Sequence, residues 1–395
     1  MLLSSISSCA FLAAFCISIP AANQTQTLPQ SSRTIGYTEL QTNLPGGRRA
    51  NIITMRAHSI RADSSHKQEL GRGLAAKPGE WTQFVGWSPD GAQSVIGRGW
   101  ESEENAAWEE EHKNFRFTAE GWMYDTFIVN SRTKSAFNAT AVDRASFYNT
   151  GLFFWPQDSH HLGFTALIDG NSHPYKMDLD GHNKVDLTKA SREFAYGFSS
   201  SKDGKRIAYH SNYVIYLADA DGSHAAKVES GHPFNFGPTW SPDGKWVLFL
   251  SGEHYHCDPC IVRADGSEFH RIGSRGTYSG AVYFLDVPDF HAGSSDVPVW
   301  SPDSHAVYYA AQAGDRVELF RVRIADGTTP EQITHSGAGV ECYHPEPSPD
   351  GKYLVFGCKL NGVRQLCVLD LANLKTQQVT HLTAGHAAMW PHWKP

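Results

Sequence analysis

Short runs of β-branched and aromatic residues recur along the chain, each introduced by a polar turn. Arg206-Ile207-Ala208-Tyr209, Trp246-Val247-Leu248-Phe249, Ala306-Val307-Tyr308-Tyr309 and Tyr353-Leu354-Val355-Phe356 are such runs. They have the length and composition of strands. A second strand and an Asp-Gly turn follow, as in Asp219-Ala220-Asp221-Gly222, Ala264-Asp265-Gly266 and Ala325-Asp326-Gly327. The polar string ahead of the runs repeats. Trp87-Ser88-Pro89-Asp90-Gly91 returns at Trp240 to Lys245 and at Trp300 to Asp303, with weaker copies at Trp155 to Asp158, Ser200 to Lys205 and Pro347 to Lys352. Pro-Asp-Gly favours a tight turn, so each copy predicts a small antiparallel sheet.

A further copy is split. Met389-Trp390-Pro391-His392-Trp393 opens a unit at the C-terminal end, and Ile35-Gly36-Tyr37-Thr38-Glu39 with Asn51 to Ser64 supplies its remaining strands. The expectation is an all-β, seven-bladed β-propeller over 33–395, with blades starting near 87, 155, 200, 240, 300, 347 and 390. Pairing of the N- and C-terminal strands would close the ring and remove free sheet edges. Two insertions stand out: Glu101 to His112 predicts a short acidic helix, and Ser267 to Asp296 a long folded loop over one face. Loops of that length commonly carry function.

Residues 1–22 predict a signal peptide: Leu2 to Ile19 is apolar or small and uncharged, and Pro20-Ala21-Ala22 offers small residues for cleavage. A secreted or periplasmic protein is expected, with no transmembrane segment after signal removal. Hydrophobic residues make up 41% and charged residues 19% of the 395, which excludes extended disorder. A net charge of −7 argues against nucleic acid as a partner. Of seven cysteines, five follow the signal: Cys257, Cys260, Cys342, Cys358 and Cys367. Cys358 and Cys367 flank the hairpin signal Asn361-Gly362 and are placed to form a disulfide, leaving Cys342 over.

The repeated string resembles the WD40-like repeats of the TolB family across essentially the whole mature chain. A narrower set of segments resembles the polysaccharide lyases of the oligogalacturonide and ulvan lyase types. These segments are Gly151-Leu152-Phe153-Phe154, Asp169 to Pro174, Gly252-Glu253-His254-Tyr255, Phe284 to His291 and Tyr343-His344-Pro345-Glu346-Pro347. The resemblance implies β-elimination on an anionic, uronic-acid-containing polysaccharide or oligosaccharide. It also implies a second divalent metal near His344, where oligogalacturonide lyases carry Gln-x-x-His-x-His. Here Glu341 and Glu346 replace two of those ligands.

Residues just upstream of the repeated turns are expected to line a channel mouth: Phe84, Asn149, Tyr196, Asn235, Asp296, His344 and His386. Asn149, Tyr196, Asn235, His232 and His344 are the candidate substrate-binding set, against the alternative of a mouth filled only with water. Elimination requires a base, an acid and a group that neutralises the carboxylate. His173 or His210 is the candidate base, Tyr213 the acid and Arg275 the neutraliser. Cys257-x-x-Cys260 with His254 and either His291 or His270 predicts a structural zinc site, with a Cys257–Cys260 disulfide as the alternative. The rival to an enzyme is a non-catalytic TolB-like protein that binds an envelope protein or a glycan.

Overall fold

A computed structural model describes residues 32–395 apart from 117–120, 142–144, 147–151, 159, 169–170, 189–190, 192, 254–255, 292 and 325–328. The expected signal peptide lies outside the described residues. Among the described residues no helix is long and apolar enough to cross a membrane.

The repeated turn owes its shape to side-chain bonds within it. Ser88 Oγ donates to Asp90 Oδ1 at 2.6 Å, and that same carboxylate oxygen accepts from Ala92 N at 2.9 Å. The Ser-to-Asp bond recurs at Ser201–Asp203, Ser241–Asp243, Ser301–Asp303 and Ser348–Asp350. These bonds hold the Asp90 and Asp203 carboxyls below their usual pKa range. The turn needs a left-handed residue after the Asp. Gly91, Gly204, Gly244 and Gly351 fill that place with φ of 65° to 72°, and Ser304 adopts it at 64° where the copy lacks glycine.

The protein is all-β with two short helices, but the seven-bladed propeller expectation is overturned. Among the described residues hydrogen bonds sort the strands into six open sheets of twelve, five, four, four, four and two strands, and none closes on itself. Units starting near 87, 200 and 240 each form a four-stranded antiparallel sheet. The unit near 155 forms a five-stranded sheet around His161–Ile168 and Asn171–Asp178. The last three units do not stay separate. Parallel bridges Val317↔Glu341 and Arg364↔Ala387 merge them into the twelve-stranded sheet. Within it the strand His386–Trp393 pairs antiparallel with Thr34–Gln41, so the two ends of the chain meet inside an open sheet rather than closing a ring. The repeat specifies hairpins; which edges then pair is decided by contacts far apart in sequence.

A local irregularity recurs in the first strand of several units. The register shifts between Phe84 and Gly86, Tyr196 and Ser199, Phe236 and Thr239, and Tyr343 and Glu346. In three of these and in the last strand the shift is accompanied by a left-handed residue: Gly197 and Gly237, but also His344 (φ 49°) and Trp390 (φ 51°). Pro238, Pro345 and Pro391 follow directly, the place a β-bulge tolerates a residue without an N–H. A non-glycine residue held left-handed costs on the order of 1–3 kcal/mol, and such costs concentrate at functional positions.

Of the two insertions, the first begins as the end of a strand, Gln93–Glu101, and becomes the helix Glu103–His112, capped by Ser102 accepting from Asn105 N. The second is a strap across the same end of the sheets, with Ala281–Val282 paired to Ser294–Ser295. Strap and helix are latched by a buried network. Glu109 accepts from Trp122 Nε1 (2.8 Å), Arg116 N (2.8 Å) and Asn105 Nδ2 (3.1 Å), and lies 3.6 Å from His291. Arg48 bridges Glu109 and Glu101.

Cys358 and Cys367 form a disulfide within the hairpin Tyr353–Leu360 and Val363–Asp370, leaving Cys342 free. The closed loop is short, so chain entropy predicts that reduction lowers stability by about 2–3 kcal/mol. Urea unfolding with and without a thiol reductant reads this directly.

Candidate functional site

The sharpest polar feature is His210, on the strand Arg206–Ser211 and 1% exposed. Tyr196, directly opposite across the ladder, packs edge-on to its ring at 3.9 Å. Tyr213 lies near-parallel to it at 6.4 Å. Glycine at 197 is required, because a Cβ there would sit 2.5 Å from His210 Nδ1. Among the described residues neither ring nitrogen of His210 has a hydrogen-bond partner. Burial drives its pKa down to about 3, so the imidazole is neutral. Burial also pushes the Tyr196 hydroxyl well above its ordinary pKa.

Tyr213 follows Asn212 in a two-residue hairpin turn, both with positive φ. Its ring stacks on Phe234 at 4.2 Å. Its carbonyl accepts from Asn235 N (2.9 Å) and Asn235 Nδ2 (3.0 Å). Asn235 Nδ2 also donates to the His232 carbonyl, so Asn235 holds this loop while the His232 side chain stays exposed. Phe234, Phe236, Leu250 and Cys257 pack together beneath, with Tyr213 and Val297 at their edge.

Val297 leads to a second polar group. Arg275 is 2% exposed, with its guanidinium donating to the Asp296 carbonyl and its Nε unpartnered. Among the described residues it has no carboxylate in salt-bridge range. The Asp296 carboxylate accepts from Tyr278 OH (2.9 Å) and His344 N (2.8 Å). His344 Nε2 lies 3.1 Å from the Ser295 carbonyl, an acceptor only, so Nε2 carries the proton and Nδ1 keeps a lone pair without a partner. Burial lowers the His344 pKa. Trp390 Nε1 donates to Ser294 Oγ beside it.

The structure therefore brings Tyr196, His210, Tyr213 and Asn235 together, and Arg275, Asp296 and His344 together, with Phe236 and Val297 between. His173 is held apart. Its Nδ1 meets Asp186 Oδ2 at 2.8 Å and its buried Nε2 is unpartnered, but no described contact joins it to His210 or Tyr213. Phe84 is packed in the core against Gly36 and Trp87 rather than lining a mouth, and His386 sits by Thr383. Asn149 lies outside the described residues.

The expected metal ligands do not converge. Cys257 and Cys260 lie on one strand, His256–Arg263, three residues apart and so on opposite faces. Cys257 joins the Phe234–Phe236 cluster, whereas Cys260 joins that of Phe249 and Val262. Burial pushes both thiols up to about 12. His291 is committed to Asp289 at 2.7 Å, His270 lies on an edge strand, and His254 is outside the described residues. Around His344, Glu341 pairs with Lys359, while Glu346 binds His392 and Trp393. Among the described residues no group of three or more His, Cys, Asp or Glu could hold a metal. The described members of the two expected ligand sets, Cys257, Cys260, His270 and His291 on one side and Glu341, His344 and Glu346 on the other, are therefore not grouped around one point, and His254 falls outside the described residues.

One feature escaped the sequence reading. At the turn end of the same strands lies a cavity of about 140 Å³ lined by Trp87, Trp240, Trp300 and Trp393 with prolines of the repeated turns. The repeated Trp-Ser-Pro string was its signal. Three of the bulges had one too, in Gly237-Pro238, His344-Pro345 and Trp390-Pro391.

No family model matches the chain. An uncharacterized protein of Agrobacterium fabrum is 28% identical over 260 residues, spanning 61% of this chain and 80% of its own. TolB from Acinetobacter baumannii superposes at 16% identity, with 93% of this chain and 68% of that one covered and a TM-score of 0.51. An oligogalacturonate lyase from Vibrio parahaemolyticus gives 16% identity, 74% and 75% coverage and a TM-score of 0.50. An oligogalacturonate lyase in complex with manganese gives 13% identity, 90% and 89% coverage and a TM-score of 0.55. The chain shares its fold with a TolB protein and with oligogalacturonate lyases alike.

Proposed function

We propose that this is an exported polysaccharide lyase, secreted or periplasmic, that cleaves a uronic-acid-containing glycan by β-elimination. The observation that carries the proposal is His210: a buried, neutral imidazole flanked by Tyr196 and Tyr213, with no hydrogen-bond partner among the described residues. A buried polar group left without a partner is costly unless something else satisfies it. The aromatic faces suit sugar rings, and Arg275 supplies a buried cation without a carboxylate.

In the reaction, a base removes the C5 proton of the uronate. The freed electron pair forms the C4–C5 double bond, the C4–O bond to the neighbouring sugar breaks, and its oxygen takes a proton from an acid. His210 accepts the first proton and Tyr213 supplies the second, with Arg275 opposing the carboxylate charge. His173, its lone pair held at Nε2 by Asp186, is the second candidate base. Incubation of the full chain with pectate, ulvan and related polymers is expected to give the ultraviolet absorbance of an unsaturated product. Tyr213→Phe is expected to lower the rate by on the order of 100-fold or more. Because His210 stays neutral down to a pH of about 3, the rate should show no loss on the acid side of pH 6.5. A conventional histidine limb there would remove His210 as the base.

A second reading has its own observation. So low a basicity suits a hydrogen-bonding group better than a proton acceptor. A TolB-like protein that binds a glycan or an envelope protein without cleaving it would show retention and no product across the same panel.

A further inference from the structure

Most large apolar and aromatic side chains in the described structure are buried, but Tyr283 is 56% exposed. Its backbone is among the most firmly held parts of the strap. The Tyr283 carbonyl accepts from Arg364 Nε (3.0 Å) and Arg364 Nη2 (2.6 Å). Arg364 is itself buried and paired with Asp286 at 3.0 Å. Asp286 is tied to the N-terminal strand region, its N–H donating to the Thr42 carbonyl and its carboxylate accepting from Thr42 Oγ1. On one side, Val282 pairs with Ser294; on the other, Phe284 is driven against Trp390 at 5.3 Å. Ala281 and Val282 before it and Phe284 and Leu285 after it are all buried, and Tyr283 alone of this run is exposed. Trp390 and His344 lie beneath, on the inner side of the strap.

A mobile loop would let an exposed tyrosine fold back onto apolar surface. Here the buried Arg364 holds the Tyr283 carbonyl and the buried Phe284 anchors the next residue, so the backbone that presents the ring has little freedom left to lose on binding. We propose that Tyr283 is a stacking platform for a sugar ring of a polysaccharide chain, a binding subsite on the outer face of the strap. The amphipathic ring suits this: its face takes the apolar face of a pyranose while its hydroxyl stays hydrated. This inference rests on the reading of the protein as glycan-directed, and gives that reading a subsite for long chains.

The test is affinity electrophoresis of the full chain through native gels containing pectate or ulvan, with wild type, Tyr283→Ala and Tyr283→Phe compared. The exposed position makes all three equally stable, which thermal unfolding verifies. The wild type should be retarded, Tyr283→Ala should bind about fivefold more weakly, and Tyr283→Phe should stay within about twofold of wild type, the scale of one aromatic stack. Equal retardation of wild type and Tyr283→Ala would overturn the platform and leave glycan binding standing. A wild-type chain that neither gel retards would overturn both readings.

Discussion

Replacing Glu109 with alanine is expected to lower the stability of the protein by roughly 3–5 kcal/mol, the cost of breaking a buried ion pair by removing one partner. Glu109 is fully buried and opposite Arg48, whose side chain is 7% exposed. The substitution leaves Arg48 with Glu101 as its remaining carboxylate, and removes the acceptor that Glu109 offers to the indole N–H of Trp122 and the backbone N–H of Arg116. Burial already pushes the Glu101 carboxyl upward, so it compensates poorly. Glu109→Gln retains an oxygen for Trp122 and Arg116 and should cost about half as much. Urea unfolding gives both values. Because Glu109 also faces His291 on the strap, Glu109→Ala should expose the strap to proteolysis before the rest of the chain unfolds. A loss below about 1 kcal/mol would mean that the network does not bear on stability.

The second large effect is the response of stability to acid. His210 has a folded pKa of about 3 against an ordinary value of 6.5. Between those two values the unfolded chain binds a proton that the folded chain does not. Stability therefore rises with pH across the window and is lost as the pH falls below 6.5, with a limiting slope of about 1.4 kcal/mol per pH unit from this group. Above pH 6.5 the contribution vanishes. His344, whose pKa burial also lowers, acts in the same direction. His210→Leu should flatten the stability curve between pH 6.5 and 4 while leaving the curve above pH 7 parallel to wild type. Equal slopes for the two proteins would place His210 in contact with water or with a charge that sustains its protonation.

How far the site was legible can be followed residue by residue. His210 and Tyr213 fall together because they belong to one hairpin, whereas Asn235 comes from the next sheet and reaches the Tyr213 carbonyl only through packing between sheets. Arg275 and His344 required the strap to fold back, and only the Asp296 bonds show how it does so. The placement of the cysteine pair was not legible either. Cys-x-x-Cys suits a metal when it sits in a turn, but the hairpin closes early, with Glu253 opposite His256, and the strand's period of two then sends the thiols to opposite faces.

What the sequence determined by itself is local. The Ser-Pro-Asp-Gly turns, the strands on either side, the helix after Ser102 and the hairpin closed by Cys358 and Cys367 depend on bonds and preferences between residues a few positions apart. What only the tertiary structure decided is non-local. The merging of three units through Val317↔Glu341 and Arg364↔Ala387, the insertion of Glu109 beside His291 and the outward presentation of Tyr283 depend on which surfaces remain uncovered once the hairpins have formed. Backbone edges and buried charges find partners by proximity in space, and the repeat carries no record of that proximity.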